Sequence, residues 1–264
     1  MTKIISRNSK LLKEYRLLGL RKYRVKKQKI VLEGYHLLRE ALNAGLKLES
    51  VFYTDEFAKG VAKELLNDAA QEAKLYRIEP KLFKTIAQTE TPQGVGAIAR
   101  LPVMPHSLPG DGDFFLILDG IQDPGNLGTI IRAAASAAVD ALILLPGTVD
   151  PYNPKSLRAG MGGTFYLPIL QAEKIEDWYA ILRQRKVQFI AAVPDGEVPY
   201  YELDFSRPSA VIIGNESRGV SPSLSDGADV RACIPLQGKI AALNAAMAAS
   251  IFIFESRRQK ESKI

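Results

Sequence analysis

Five apolar runs of strand length recur between residues 114 and 234, and they constrain the fold more than any other feature of the sequence. The runs are Phe114–Leu118, Ala141–Leu145, Phe189–Val193, Val211–Ile213 and Val230–Ile234. They are apolar almost throughout, which is typical of strands buried on both faces of a parallel sheet that helices cover. Helical patterns at 127–138, 175–184 and 241–255 alternate with them. The sequence therefore predicts an α/β domain with a parallel sheet over residues 114–264.

A segment rich in proline and glycine, residues 101–113, separates this domain from the part before it. Prolines interrupt helices and strand ladders, so we expect this segment to be a linker. Residues 1–100 show shorter, mixed patterns and are expected to form a small α/β domain. Its predicted helices are 8–20, 34–44 and 58–72, and its predicted strands are 30–32, 51–53, 74–78 and 97–99.

Positive charge is concentrated at the start of the chain. Residues 1–29 contain eleven Lys and Arg against one acidic residue, Glu14, whereas the whole chain carries a net charge of only +6. A basic segment of this kind is typical of a phosphate binder, and a solvated helix face is the alternative. Tyr15 and Tyr23 lie in the segment and could stack on bases, which favours RNA. The candidate RNA-binding residues are Arg7, Lys10, Arg21, Lys22, Arg24, Lys26 and Lys27.

The residue types that are missing exclude several classes of site. The only histidines, His36 and His106, lie outside the predicted sheet domain, which excludes a Ser-His-Asp or Cys-His site within it. Cys233 is the only cysteine, and no His, Cys and carboxylate cluster has the spacing of a metal site. Neither a P-loop nor a GxGxxG motif occurs. No apolar run is long enough to cross a bilayer, and the start of the chain lacks a secretory signal, so we expect a cytoplasmic protein without a metal.

Three segments that contain glycine and asparagine each follow a predicted strand. They read LDGIQDPGNLGTIIR at 118–132, IGNESRGVS at 213–221 and IPLQGKIAALNAA at 234–246. Each alone is compatible with an ordinary turn, a helix cap or an alanine-rich helix. Ligands of open α/β sheets bind at the carboxyl ends of the strands, where all three segments are expected. Together they predict one ligand site.

In this order, the three segments resemble the three motifs of the SpoU (TrmH-like) branch of the SPOUT methyltransferase superfamily, over about residues 114–256. VLEGYHLLRE at 31–40 and TPQGV at 91–95 resemble the substrate-binding domain of the same family, which has a ribosomal-protein-like α/β fold. The resemblance implies a parallel sheet with a trefoil knot, an exception to the rule that chains do not thread loops. It also implies a homodimeric, S-adenosylmethionine-dependent RNA 2′-O-ribose methyltransferase that acts on 23S-type ribosomal RNA.

The resemblance also implies roles for individual residues of this chain. The positions that match the family's catalytic residues are Asn126, Arg132, Glu216 and Asn244. The cofactor is expected to bind mainly to backbone groups, at Gly214, Ile234, Leu243 and Gly238. Independently of the resemblance, the missing side chain of Gly214 is expected to let a ligand approach the backbone.

One matched position carries a chemical difficulty, and one motif position departs from the family's pattern. Arg132 matches the family's proposed base, but a guanidinium stays protonated at neutral pH. We therefore expect Arg132 to clamp an RNA phosphate and orient the 2′-hydroxyl. The third motif usually reads Ser-Leu-Asn, whereas here Ala242 takes the place of the serine. A serine-assisted proton relay is thus not expected.

Two alternatives to rRNA methylation remain open. The first is ribose methylation of transfer RNA by the same chemistry, and the second is an RNA-binding ribosome assembly factor without turnover. A separate N-terminal domain favours rRNA, because tRNA-directed relatives more often carry basic extensions alone. The presence of all four matched catalytic residues argues against a factor without turnover.

Overall fold

The computed structural model of the chain describes residues 3–4, 9–59, 62–239 and 242–261. The chain divides into two compact units, which are Met1–Val103 with Tyr152–Phe165, and Met104–Pro151 with Tyr166–Ile264. Residues 152–165 lie inside the span expected for the sheet domain but group with the N-terminal unit. None of the described helices is long and apolar enough to cross a membrane.

The segment expected as a linker is divided between the two units. The break falls after residue 103, so the remainder of 101–113 belongs to the second unit. There Leu108 is buried in the core, and Arg185 donates a hydrogen bond from Nη1 to the carbonyl of Pro109 at 2.5 Å. The second half of this segment is therefore packed against the sheet unit.

The N-terminal unit has a mixed five-stranded sheet. Its elements in chain order are β1 (Lys3–Ile4), α1 (Lys10–Leu17), α2 (Arg21–Lys27), β2 (Lys29–Glu33), α3 (Tyr35–Asn43), β3 (Leu48–Tyr53), α4 (Ala62–Glu72), β4 (Lys74–Arg77), α5 (Pro80–Lys84) and β5 (Val95–Arg100). The strand order is β1-β4-β3-β5-β2, with β2 and β3 antiparallel to β5 and β4 parallel to both β3 and β1. The predicted small α/β arrangement is thus present.

The helix expected at 8–20 ends at Leu17, and a second helix that was not predicted, α2, follows it and contains Arg24. Its Nη1 donates to the carbonyls of Leu18 and Gly19 at 3.0 and 2.8 Å, which satisfies acceptors just beyond the end of α1. Arg24 is only 2% exposed. The expectation that Arg24 contacts RNA is therefore wrong, because its guanidinium is buried on backbone carbonyls.

Tyr15 is likewise a core residue. Its side chain is fully buried, its hydroxyl donates to the carbonyl of Leu32 at 3.2 Å, and its ring meets Phe52 edge to face. Burial raises the pKa of the Tyr15 phenol well above its ordinary value of 10.0. The suggestion that Tyr15 stacks on bases is therefore wrong.

The second unit has a seven-stranded sheet. Its elements are β6 (Phe114–Asp119), α6 (Pro124–Ser136), β7 (Ala141–Leu144), β8 (Ile169–Gln171), α8 (Ile175–Gln184), β9 (Gln188–Ala192), β10 (Val198–Pro199), β11 (Ser209–Gly214), α9 (Pro222–Asp226), β12 (Val230–Cys233) and α10 (Ala245–Glu261). Helix α7 (Pro154–Gly160) belongs to the N-terminal unit. The strand order is β10-β12-β9-β11-β6-β7-β8, and every pair is parallel. The predicted parallel sheet is confirmed.

Both faces of this sheet are covered, which explains the nearly continuous apolar runs. In β6, Leu116 and Leu118 belong to one core cluster, with residues of α6 and α10. Phe115 and Ile117 belong to a second cluster on the other face, with Leu182 of α8. Alternate side chains of one strand point to opposite faces, so a strand covered on both sides is apolar at every position.

Several short elements were not predicted. β8 and β10 have three and two residues at the edges of the sheet, too few to form a recognisable pattern. α5, α7 and α9 each begin with a proline, which the sequence treats as a break although the first turn of a helix accepts it.

Candidate functional site

The carboxyl ends of the parallel strands meet at one edge of the sheet, and a cleft of about 660 Å³ lies there. Its walls come from the residues that follow β9, β11 and β12 and from one side of α10. This volume lies within the range of about 300–1,000 Å³ that small-molecule sites occupy. Three loops shape this edge: the first loop (120–123, after β6), the second loop (215–220, after β11) and the third loop (its described residues 234–239 and 242–244, after β12).

The second loop is closed by Asn215, which is 7% exposed. The backbone N–H of Asn215 donates to Gly219 at 3.0 Å, and the N–H of Gly219 donates back at 2.9 Å. The Oδ1 of Asn215 accepts from the N–H groups of Ser217 and Arg218 at 2.9 and 3.1 Å. Its Nδ2 donates to the carbonyl of Gly120 at 2.7 Å. One buried amide therefore shapes the second loop and ties it to the first.

Gly214 lies at the end of β11, and the sequence suggested that its missing side chain lets a ligand approach. The space that a Cβ would take at Gly214 is instead filled by the backbone of Gly219 and Val220. Gly214 is required because the second loop folds back over it, although it also lines the cleft. The reason inferred from the sequence is thus wrong, while the position in the cleft agrees with the expectation.

Glu216 joins the second loop to the start of α6. Its carboxylate accepts hydrogen bonds from the backbone N–H groups of Gln122 and Asp123, both at 3.1 Å, and from Nδ2 of Asn126 at 3.0 Å. Partial burial of Glu216 raises its pKa, but these hydrogen bonds outweigh that effect and place the pKa below its ordinary value of 4.5. Glu216 is therefore an anionic anchor, and a poor proton acceptor at neutral pH.

Asn126 and Asn244 continue this chain of hydrogen bonds. Nδ2 of Asn244 donates to Oδ1 of Asn126 at 2.9 Å, so the Asn126 amide is held on both sides. A side-chain amide has two N–H groups, and each of these two residues uses one of them here. The predicted catalytic residues Asn126, Glu216 and Asn244 are thus brought together. Among the described residues, Asn126 and Asn244 each have one side-chain N–H group that is not used in this chain of hydrogen bonds.

Helix starts fix both asparagines. α6 begins at Pro124, three residues before the predicted start, because the Asp123 carboxylate accepts from the N–H of Asn126 at 2.9 Å. α10 begins at Ala245, and Oδ1 of Asn244 accepts from the N–H groups of Ala246 and Met247 at 2.9 and 3.3 Å. Each amide therefore comes from a capped helix terminus.

The third loop differs from the other two. Within the described residues, the backbone groups of Leu236, Gly238, Lys239 and Leu243 make no backbone hydrogen bond to one another or to the rest of the chain. All four residues line the cleft, as does Ile234. None of the four residues is buried, so water can satisfy these groups in the free protein, and a bound ligand with polar edges can take the place of that water. The cofactor positions expected at Gly214, Ile234, Gly238 and Leu243 all border the same cleft.

Two family models match the chain. The SpoU rRNA Methylase family matches residues 113–254, and the MRM3-like substrate binding domain matches residues 9–97. The first match alone covers more than half of the sequence. The chain belongs to the SpoU family. Its predicted fold class, a parallel α/β sheet of the knotted SPOUT type with a small N-terminal α/β domain, agrees with this membership.

Two individual relatives resemble nearly the whole chain, and a third structure resembles about half of it. A Bacillus subtilis protein named 23S rRNA (guanosine(2553)-2'-O)-methyltransferase RlmP is 31% identical over 97% of this chain and 100% of its own length. The AdoMet-bound rRNA methyltransferase of Sinorhizobium meliloti is 32% identical, with a TM-score of 0.85 over 97% of this chain and 98% of that one. A structure described as concerning the 2-OH methylation of C/U34 on tRNA, 26% identical with a TM-score of 0.53, covers 97% of its own length but only 56% of this chain.

Arg132 is the one predicted catalytic residue that this SpoU chain does not bring to the others. It is exposed on α6 and is not among the described residues that line the cleft. It follows Asn126 by six residues, which places the two side chains about 120° apart around the helix. The structure therefore leaves Arg132 apart from the other three predicted catalytic residues.

The remaining RNA-binding candidates are divided. Lys10 lies on α1, and four others lie on α2, all of them exposed: Arg21, Lys22, Lys26 and Lys27. Arg7 lies outside the described residues. Tyr23 is half-buried with the Lys22 ammonium over its ring, 5.1 Å from the centroid.

Four residues that contribute to the SpoU site were not predicted from the sequence. Asn215 was taken only as part of a motif, although its neighbours Gly214 and Gly219 could have indicated a closed loop. Asp119, the last residue of β6, accepts from the N–H of Ser221 at 2.7 Å and supports the second loop from below. Val193 and Pro194 line the cleft after β9, where a proline directly behind a predicted strand was the available signal.

Proposed function

We propose that this SpoU chain is an S-adenosylmethionine-dependent 2′-O-ribose methyltransferase of 23S-type ribosomal RNA. The observation that carries the proposal is a cleft bordered by backbone groups that have no hydrogen-bond partner among the described residues, beside the linked side chains of Asn126, Glu216 and Asn244. Relatives that match nearly the whole chain are named rRNA methyltransferases, and one of them is AdoMet-bound.

The cleft suits a ligand with both apolar and polar parts. Ile213, Ile234 and Leu243 offer apolar surface for an adenine ring, and the exposed backbone groups of Leu236 and Gly238 offer hydrogen-bond partners for its edge. When bound, S-adenosylmethionine supplies a methyl group that is already activated on a sulfonium. The protein then has to position the ribose hydroxyl and let its proton leave.

We assign the positioning of the hydroxyl to the two asparagines. Asn126 and Asn244 hold each other through their amides and each retains one N–H, which can donate to the 2′-oxygen. Glu216 keeps Asn126 in place in its ionised form and does not accept the proton, since its pKa is lowered. The proton leaves to water or to an RNA phosphate.

Arg132 enters this scheme from a second copy of the chain. It is exposed and turned away from Asn126 in its own protomer, so a homodimer is the arrangement that brings it to a cleft. α10 offers an apolar surface for such a dimer. Met247 and Phe254 are 58% and 51% exposed, and the half-exposed Ile251 lies between them at helical spacing. Large exposed apolar side chains on one helix face are typical of an interface.

The N-terminal unit is proposed to bind the RNA. In this proposal residues 1–100 form the substrate domain, residues 101–113 the linker and residues 114–264 the methyltransferase domain. The match to a substrate binding domain at 9–97 supports this division. The tRNA-related structure covers only 56% of this chain, which supports rRNA over tRNA. A cytoplasmic location is proposed with this function, and both an rRNA substrate and a single cysteine are compatible with it.

The test is methyl transfer to unmodified rRNA. Purified protein, S-adenosylmethionine and unmodified 23S-type rRNA should give a new 2′-O-methyl site, with bulk tRNA as the comparison substrate. Calorimetry should detect cofactor binding by the protein alone. Methylation of tRNA but not rRNA would favour the tRNA alternative, and RNA binding without any cofactor binding would favour the assembly factor.

The role of Arg132 has its own test. Arg132→Lys keeps the charge but loses the planar fork of donors, so it should lower kcat by about 100-fold while leaving cofactor affinity unchanged. Mixing this variant with an Asn126→Ala variant should restore part of the activity, because a mixed dimer holds one intact site. Full activity of Arg132→Lys would contradict the clamp, and failure of the mixture to recover activity would contradict the shared site.

A further inference from the structure

A second concave surface lies in the N-terminal unit, between α1 and the end of α5. This α1–α5 groove has a volume of about 500 Å³ and is lined on one side by Lys10, Lys13 and Arg16 and on the other by Leu82, Thr85 and Ile86. Lys13, Arg16 and Thr85 were not among the RNA-binding candidates from the sequence. The groove is formed entirely by residues of one unit.

The three cations share one side of α1. They lie three residues apart, so their side chains fall within about 120° of one another around the helix. All three are exposed, and no acidic residue lines the groove among the described residues. α5 also carries Lys81 and Lys84, which are exposed and add positive charge on the opposite side.

The acid nearest to these cations in sequence is committed elsewhere. Glu14 accepts a hydrogen bond from the ammonium of Lys29 at 3.2 Å, and Lys29 also pairs with Glu49 at 2.6 Å. These carboxylates outweigh the effect of burial and raise the pKa of Lys29, so that cation is already neutralised. The charge along the groove is therefore available to an anion from outside.

The floor of the groove is apolar. Leu12 and Ile86 are 3% and 4% exposed, and Leu82 is half-buried beside them. The hydroxyl of Thr85 donates to the carbonyl of Leu82 at 2.7 Å, which leaves its oxygen free to accept. A row of cations over an apolar floor fits a chain of phosphates that carries flat, partly apolar bases.

We propose that the α1–α5 groove binds a single-stranded segment of the substrate RNA, with Lys10, Lys13 and Arg16 on successive phosphates. A single strand fits better than a duplex, because its bases can turn towards the apolar floor. The proposal rests on the proposed function for the identity of the substrate. It gives the substrate domain a binding surface formed by α1 and α5, separate from the cations of α2.

The experiment measures RNA binding by the full chain, using an oligouridylate of about 20 nucleotides, longer than the ~4–16 nucleotides that single-strand binders cover per module. The test variant is Lys10→Ala/Lys13→Ala/Arg16→Ala. Its affinity at low salt should fall about tenfold or more, and the slope of log K against log salt should become shallower by about 2, since each phosphate contact on a single strand contributes about 0.7.

Two further variants control for charge and for folding. Lys47→Ala/Lys63→Ala/Lys74→Ala removes three exposed cations from other parts of the same unit and should leave the salt slope within error of wild type. Lys10→Arg/Lys13→Arg/Arg16→Lys keeps the charge of the groove and should keep the affinity. Thermal melts show whether any variant has lost its fold, and the charge-keeping variant remains informative if the alanine variant has.

Equal salt slopes for the groove variant and the control variant would overturn the proposal, and would point to an acidic protein surface as the partner of these cations. Failure of the wild type to bind the oligonucleotide at low salt would overturn it as well. The binding assay needs neither cofactor nor turnover. A chain that binds RNA through the groove but transfers no methyl group would therefore refute the proposed function and leave this inference standing.

Discussion

The second and third loops border the same cleft but are held in opposite ways. The second loop is fixed from inside, by Asn215 within the loop and by Asp119 and the first loop beneath it. The third loop has unpaired backbone groups at Leu236–Lys239 among the described residues. A loop whose backbone groups bond one another is rigid before a ligand arrives, whereas exposed groups that bond water in the free protein are available to a ligand. The difference suggests that the second loop holds the catalytic side chains in place and that the third loop binds the cofactor.

The largest effect is expected from Gly214→Ala, a substitution that disrupts the second loop. A methyl group at this position would overlap the backbone of Gly219 and Val220, and neither can move without opening the loop. Overpacking of this kind costs about 1–3 kcal/mol or more. We expect methyl transfer to fall by more than about 100-fold, since the bonds that hold Glu216 would be lost. Thermal melts and rate measurements test this, and a variant with normal activity would show that the second loop is not rigid.

A smaller effect is expected from Glu216→Gln, which keeps the shape of the anchor but removes its charge. Hydrogen bonds to a charged group contribute about 1.5–3 kcal/mol, equivalent to about 10–100-fold in rate, and an amide cannot accept all three donors with the same strength. We expect kcat to fall within that range with cofactor affinity nearly unchanged. A loss confined to cofactor affinity would instead place Glu216 in the cofactor-binding wall.

The same anchor has a pH dependence. The pKa of Glu216 is lower in the folded chain than its ordinary value of 4.5, so its ionised form stabilises the fold. That contribution is complete above pH 4.5 and is lost as the pH falls through the folded pKa. The difference in unfolding free energy between wild type and Glu216→Gln should therefore be constant from pH 7 to about pH 5 and shrink at lower pH. A difference that grows on acidification would contradict this role.

The sequence predicted the strands and the clustered site residues, but not the burial of two N-terminal side chains or the position of Arg132. The five long strands followed from apolar runs, because a strand buried on both faces has an unmistakable pattern. The clustering of Asn126, Glu216 and Asn244 followed from motifs placed at strand ends. The buried positions of Arg24 and Tyr15 did not, since burial depends on contacts with α1 and with Leu32 that no local pattern records. The position of Arg132 outside the cleft was also missed, because a match to a family motif does not give the angle of a side chain around α6.

Hydrogen exchange should separate the two loops directly. In the free protein, the amides of Leu236, Gly238 and Lys239 should exchange faster than those of Ser217 and Arg218, which donate to Asn215. Saturating S-adenosylmethionine should slow exchange in the third loop several-fold and change the second loop little. Equal slowing in both loops would mean that the cofactor organises the whole edge of the sheet.

The smallest effect on the protein itself is expected from Gly238→Ala, the counterpart of Gly214→Ala in the third loop. A Cβ at Gly238 meets nothing within 4 Å, and its backbone does not have the positive φ that disfavours other residues. The free protein should therefore be unchanged or stabilised by about 0.4–1 kcal/mol, through the less flexible unfolded chain. The added methyl group extends into the space that the cofactor would fill, so affinity for S-adenosylmethionine should fall several-fold while the melting temperature does not. If affinity is also unchanged, the cofactor does not approach Gly238, and the grip of the third loop is confined to Ile234, Leu236 and Leu243.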